Sequence, residues 1–333
     1  MEEDRLTQIW KEYSQIKQYL NGKNYYQQLE INYNFAKGDQ WKNFKSGGMP
    51  MPIDNIITPI CNYKIGVVSQ NNMTITFTDE NFSKEDMEEI EDGTSFRDIA
   101  EEVIEKINKN IARFFESNNL ENNTWDYDEE NCISGNVGMY IYEDEENNKR
   151  ADMIYGNNIF FSDENNNDVQ DQSYILITFR RPVEKIREEA KKHGLEESKI
   201  AEIVADNDLN EQIGNKEEVK DEQGKALCVL KLYKKTKEVT RTQDKTIVDE
   251  YGQEQVIQEE KTTVHMMKST KNVIYVPETD LGLTLYPVAL DTWINEKNSI
   301  RGRGEPQDKI ENQIEINRTM ARRDIAIAMG AYP

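Results

Sequence analysis

The sequence predicts an α+β fold, and three observations carry that prediction. Apolar residues recur at helical spacing through the first third of the chain, the period changes to two at Gly138, and helical spacing returns after Glu305. Helices, then sheet with a few helices, then one long helix is the order expected when the two element types segregate.

Residues 4–20 place Leu6, Ile9, Trp10, Tyr13, Ile16 and Leu20 on one stripe of a helix, which Asn21-Gly22 should close because both tolerate a left-handed cap. A second helix is expected over 24–37, with Tyr25, Leu29, Tyr33 and Ala36 on one side and Gly38-Asp39-Gln40-Trp41 as its break. The Gly- and Pro-rich stretch 46–52 reads as a loop. Residues 55–68 read as a helix with Pro59 near its first turn and Ile56, Ile60, Tyr63, Ile65 and Val67 apolar. A short strand at 73–77 and an acidic stretch at 79–92, a solvated loop or exposed helix, should follow. Ser95 with Asp98 makes a capping box for the clearest helix, whose stripe is Ile104, Ile107, Ile111 and Phe114. Another helix spans 120–134 and ends at Ser134-Gly135.

From Gly138 the alternation Met139-Tyr140-Ile141-Tyr142, a polar turn at 144–149 and Met153-Ile154-Tyr155 read as a hairpin. A strand at 174–179 runs into Pro182, and a helix over 183–192 stops at His193-Gly194. The charged stretch 196–224 reads as a helical insertion. Strand-like runs follow at 226–234, 238–244, 246–248, 262–267, 273–276 and 283–290, with 250–261 a Glu- and Gln-rich loop. The stretch 305–329 is helical through Ile310, Ile314, Ala321, Ile325 and Ala328. The chain thus divides into a helical part at 1–119, an α+β region at 120–300 and a helix within 301–333.

Composition narrows the function. With 63 acidic against 41 basic residues the net charge is -22, which disfavours a protein that grips DNA by displacing counterions. An acidic wall would instead repel DNA and let it slide. Apolar residues are 36% and charged residues 31% of the chain, so cores exist beside much polar surface, as in a subunit that completes its burial against neighbours. Three widely spaced cysteines predict no disulfide framework, and two histidines make a structural zinc site improbable. The charged Met1–Trp10 stretch predicts no signal peptide, and no apolar run reaches membrane-spanning length, so the expectation is a soluble intracellular chain.

The chemical motifs are weak. No Walker A loop is present; Gly302-Arg303-Gly304 can meet a phosphate but lacks a third glycine and lysine at the required spacing, and reads as a turn. Asp163-Glu164-Asn165-Asn166-Asn167-Asp168 offers alternating oxygens as a calcium loop does, yet Asp168 replaces the turn glycine and Tyr174 the bidentate glutamate. Asp126, Asp128, Glu129 and Glu130 form a carboxylate cluster of the kind a metal-dependent nuclease uses, on a helix where 126 and 130 share a face; the plainer reading is a solvated face. His193 at a helix end is structural, and His265 has no nucleophile elbow to serve. The expectation is a chain without catalytic residues, metal or cofactor.

Three stretches, in order, carry a resemblance. They are Asn55-Ile56-Ile57-Thr58-Pro59-Ile60-Cys61-Asn62-Tyr63-Lys64-Ile65-Gly66 preceded by Gly38-Asp39-Gln40-Trp41; Gly135-Asn136-Val137-Gly138-Met139-Tyr140-Ile141-Tyr142; and Tyr286-Pro287-Val288-Ala289-Leu290 leading through Asn298-Ser299-Ile300-Arg301-Gly302-Arg303-Gly304-Glu305 to Gln313-Ile314-Glu315-Ile316-Asn317-Arg318. Together they resemble the portal proteins of tailed double-stranded DNA bacteriophages, the siphophage type in particular. The resemblance implies a wing domain of helices and mixed sheet leading into a long stem helix. It implies a closed ring, commonly a dodecamer, at a capsid vertex of the virion, assembled in the host cytoplasm. Its partners would be further copies of the chain, the terminase large subunit, head–tail connector proteins, capsid and scaffolding proteins, and double-stranded DNA threaded without sequence recognition. Family members continue into a clip, a returning stem helix, a tunnel loop and a crown, so the expectation is a chain lacking that C-terminal part. Lys309, Arg318, Arg322 and Arg323 are the residues the resemblance offers as stem or DNA-channel contacts; beside Glu311, Glu315 and Asp324 the plainer reading is ion pairs along a solvated helix. A metal-dependent nuclease, or another head–tail adaptor or capsid-associated protein, stands as the alternative.

Overall fold

Helical and strand periods settle into eight α-helices and two antiparallel sheets among the described residues of the computed structural model, which are 2–42, 44–70, 75–78, 96–144, 146–206, 224–241 and 257–330. The fold is α+β. Helices α1 (Glu2–Gly22), α2 (Tyr25–Lys37), α3 (Ile57–Ser69), α4 (Phe96–Ser117) and α5 (Thr124–Ser134) come first. Strands β1 (Asn136–Glu143), β2 (Lys149–Tyr155), β3 (Ile159–Phe161) and β4 (Tyr174–Pro182) follow, then α6 (Val183–Lys192) and α7 (Glu197–Ala201). Strands β5 (Lys225–Arg241), β6 (Ile257–Ser269), β7 (Ile274–Asp280) and β8 (Val288–Thr292) precede α8 (Ile310–Gly330). One sheet has the order β2-β1-β8 and the other β3-β4-β5-β6-β7. Every pairing is antiparallel, where the resemblance led to a mixed sheet.

The five-stranded sheet is buried on both faces because its strands alternate. Leu227 and Val229 join Phe160 and Leu176 under the α1 stripe of Ile9, Tyr13, Ile16 and Leu20. Burying each of those α1 side chains contributes about 1.5–3 kcal/mol. Leu230 and Leu232 point the other way, into a core shared with Val288 and Ile300 and flanked by Tyr140 and Ile154 of the small sheet. At one end Ala226 and Cys228 pack with Ile186 and Ala190 of α6. Pro277 lies in β7, an edge strand, where a missing N–H is tolerated, and the β6–β7 register slips beside it.

Several expectations are corrected. α1 runs through Gly22, and the left-handed residue is Asn24, at φ 58°. In α3 the buried positions are Ile57, Cys61 and Ile65; of the apolar residues named there only Ile65 is among them, and Tyr63 is 74% exposed. Residues 75–78 form no strand; the Asn108 side chain bonds both the N–H and the carbonyl of Phe77. Ser95, the 79–92 stretch, the 246–248 run and most of the 196–224 insertion lie outside the described residues. The described part of that insertion holds only the short α7. The run at 226–234 and the described part of the run at 238–244 join in the single 17-residue β5, residues 242–244 lying outside the described ones, and 257–261, expected as loop, belongs to β6. Beyond Tyr233, β5 keeps β6 as its strand partner, and a two-stranded ribbon exposes both faces, which accounts for the charged stretch Lys234-Lys235-Thr236-Lys237. The run 283–290 becomes a strand only at Val288, and 305–308 is a 3-10 turn rather than the start of α8. None of the described helices is long and apolar enough to cross a membrane.

Candidate functional site

The passage from the sheets into α8 is closely constrained by main-chain contacts. Trp293 N–H donates to the Gly135 carbonyl at 3.0 Å and Arg303 N–H to the Ile294 carbonyl at 2.8 Å, which lays the passage against the α5–β1 turn. Gly135 turns at φ +93°, and a Cβ there would lie 2.5 Å from the carbonyl carbon of Arg303. A Cβ on Gly304 would overlap the Ile133 carbonyl oxygen. Gly302-Arg303-Gly304 is therefore a backbone crossing rather than the expected turn, with Arg303 bridged antiparallel to Ile294 and Gly304 extended. The Arg303 side chain ion-pairs with Glu296 and Asp308.

Arg301 locks the crossing from inside. Its Nε and Nη2 donate to both oxygens of Glu164, at 2.7 and 2.9 Å. Nη1 donates to the Gly156 carbonyl and the Tyr25 hydroxyl, and Nη2 also to the Ile159 carbonyl. All five guanidinium N–H groups are thereby used, and the guanidinium lies 4.6 Å from the Tyr25 ring centroid. Burial alone would lower the Arg301 pKa, but Glu164 together with Tyr25 and Tyr26 makes the net shift upward. Burial raises the Tyr25 phenol against the opposing pull of Arg301. The 163–168 turn thus serves Arg301: its aspartates and asparagines close short side-chain turns onto Asn165, Asp168 and Gln170 N–H groups.

α8 leaves the body through two buried amides. Gln313 Nε2 donates to the Asp54 carbonyl at 2.7 Å, and its Oε1 accepts from Ile56 N–H at 2.9 Å. Asn317 Oδ1 accepts from Gln313, and its Nδ2 donates to Gln40. Past Asn317 the helix is progressively uncovered, and Ile327 and Met329 are 62% and 75% exposed. We expect Gln313→Ala to cost about 0.5–1.5 kcal/mol, the net worth of the hydrogen bonding lost at the part-buried Asp54 carbonyl and Ile56 N–H, read as a lower denaturant midpoint.

The four basic residues of the passage and α8 take separate positions. Lys309 is 3.8 Å from buried Glu305, which also accepts from Trp293 and pairs with Lys64. Arg318 pairs with Glu315 and Arg323 with Asp324 on the exposed surface, and Arg322 is exposed. Ion pairing along the solvated helix is present for Arg318 and Arg323.

The carboxylate cluster on α5 is corrected. Asp126 and Glu129 are exposed, but Asp128 and Glu130 are buried and face different neighbours. Glu130 accepts from the Tyr33 hydroxyl; burial raises its carboxyl while that bond lowers it. Among the described residues no group of three or more His, Cys, Asp or Glu side chains is placed to hold a metal. His193 caps α6 ahead of left-handed Gly194, as expected. His265 is buried with Nδ1 3.2 Å from Glu278 and Nε2 3.3 Å from the Thr263 hydroxyl. That hydroxyl donates to Asp280 and is itself buried, so the set clamps β6 to β7 and presents no nucleophile.

The Arg301–Glu164 lock is the constellation sequence reasoning missed: the two residues are 137 positions apart. The chain matches no protein-family model and no curated protein.

Proposed function

We propose that the chain is a ring-forming structural subunit of portal type, which acts through shape and assembly rather than catalysis. The observation that carries this reading is the helix α8, fixed at its base by Gln313 and Asn317 and bare along its outer half, with Ile327 and Met329 in solvent. A helix held rigidly in direction yet uncovered gains its remaining burial from a neighbouring copy, and a closed ring supplies one such neighbour to every subunit. The net charge of -22 fits a wall along which DNA slides. Within this reading Lys309, Arg318, Arg322 and Arg323 are stem residues, and terminase and connector proteins are the partners.

The test is negative-stain imaging with mass measurement of the purified chain. A ring with a central hole of about 20–40 Å is expected, wide enough for a duplex whose major groove is about 12 Å across. Ile327→Glu with Met329→Glu should disperse it. Single subunits at high concentration, or plasmid cleavage in Mg²⁺ or Mn²⁺, would overturn the proposal.

A further inference from the structure

One face of α5 carries a buried acid with no counterpart. Asp128 is 8% exposed, and its Oδ2 meets no hydrogen-bond partner. Asn131 is 3% exposed, and its Oδ1 is equally unmet. Residues three apart share a helix face, so the two side chains are neighbours. Asn131 Nδ2 donates to Asp291 Oδ2 at 3.0 Å, which brings a second carboxylate to the same place from β8, the edge strand of the small sheet. Among the described residues neither Asp128 nor Asp291 pairs with a Lys, Arg or His. Asp291 is exposed, so solvent and ions reach its carboxylate, while the unmet oxygens of Asp128 and Asn131 lie beneath the surface behind it. Burial, and then the charge of Asp291, hold the Asp128 carboxyl above its ordinary value.

Both unmet atoms are acceptors, and the two acids facing one another are anions. A water molecule can donate to the acceptors but leaves the like charges uncompensated; a cation answers both deficits. We propose that Asp128, Asn131 and Asp291 bind a hard divalent cation, Ca²⁺ being the better fit. The donors are oxygen only and include a neutral amide. Their number is small, which leaves room for waters, and Ca²⁺ accepts such irregular shells where Mg²⁺ demands a near-ideal octahedron. With two carboxylates the affinity falls in the weak range, with Kd on the order of 10⁻⁴–10⁻³ M. The ion would pin α5 to β8 beside the Gly135 crossing. This site is independent of ring formation.

The experiment uses the full chain, stripped with EDTA and titrated with CaCl₂ to about 10 mM against NaCl of equal ionic strength, read by calorimetry and thermal unfolding. Ca²⁺ is expected to bind and to raise Tm beyond the NaCl control. Asp128→Asn should raise Tm in EDTA, because it removes the like charge, yet weaken Ca²⁺ binding at least about tenfold. Asp291→Asn should weaken binding similarly and carries the test if the first variant folds poorly. No Ca²⁺-specific heat or Tm shift would overturn the proposal, as would wild-type affinity in both variants. A chain that gains stability on acidification in EDTA but ignores Ca²⁺ would assign the unmet oxygen to a proton and end the cation reading.

Discussion

Replacing Arg301 with methionine is expected to destabilise the chain by about 3–5 kcal/mol, the cost of stranding one member of a buried ion pair. Glu164 has a side chain only 7% accessible, so water cannot take over from the guanidinium. The carbonyls of Gly156 and Ile159 lose their donor as well. Arg301→Lys should recover little, since an ammonium has three donors and no planar fork to meet both Glu164 oxygens. Arg301→Met combined with Glu164→Gln should recover most of the loss, because no charge is then left buried. Denaturant midpoints with an unchanged slope would measure each of these. A loss below about 1 kcal/mol in the single variant would show the lock to be dispensable.

Gly135→Ala is the second substitution with a large expected cost. A side chain at φ +93° is strained by about 1–2 kcal/mol, and overpacking adds about 1–3 kcal/mol. The atoms it would strike are the Arg303 carbonyl carbon and the Gly304 nitrogen, at 2.5 and 2.6 Å, and main chain cannot rotate aside as a side chain would. Gly22→Ala is the control. Nothing lies within 4 Å of a Cβ there and the residue ends α1, so it should be neutral or stabilising by up to about 1 kcal/mol. Equal effects at the two positions, in the same denaturant measurement, would remove the steric account of the crossing.

Where period and burial agree, the fold was legible in the sequence. The α1 stripe, the β1–β2 hairpin and the α6 stop at His193-Gly194 are all present, because each combines a clean period with a local cap or turn. In α3 apolar residues occur all round, with Tyr63 and Val67 left outside, so no stripe pointed to the buried face. The α5 acids misled for a related reason: a charged run reads as surface, and only tertiary packing from α2 and β8 puts Glu130 and Asp128 inside. The passage into α8 stands in the sequence only as the string Asn298 to Glu305, which carries a resemblance but no period. Contacts between Arg301 and Glu164, or Gly304 and Ile133, join distant segments and leave no local period.

Gln313 at the base of α8 grips main chain at Asp54 and Ile56, while Asn317 holds the Gln40 side chain. Side chains at 54 and 56 are therefore free to drift without altering what Gln313 recognises, since every amino acid but proline offers the same N–H and carbonyl. The bearing of the outgoing rod is thereby insulated from mutation in the loop beneath it. An engineer could rewrite that loop, or graft a different rod beyond Asn317, and still keep the angle of departure.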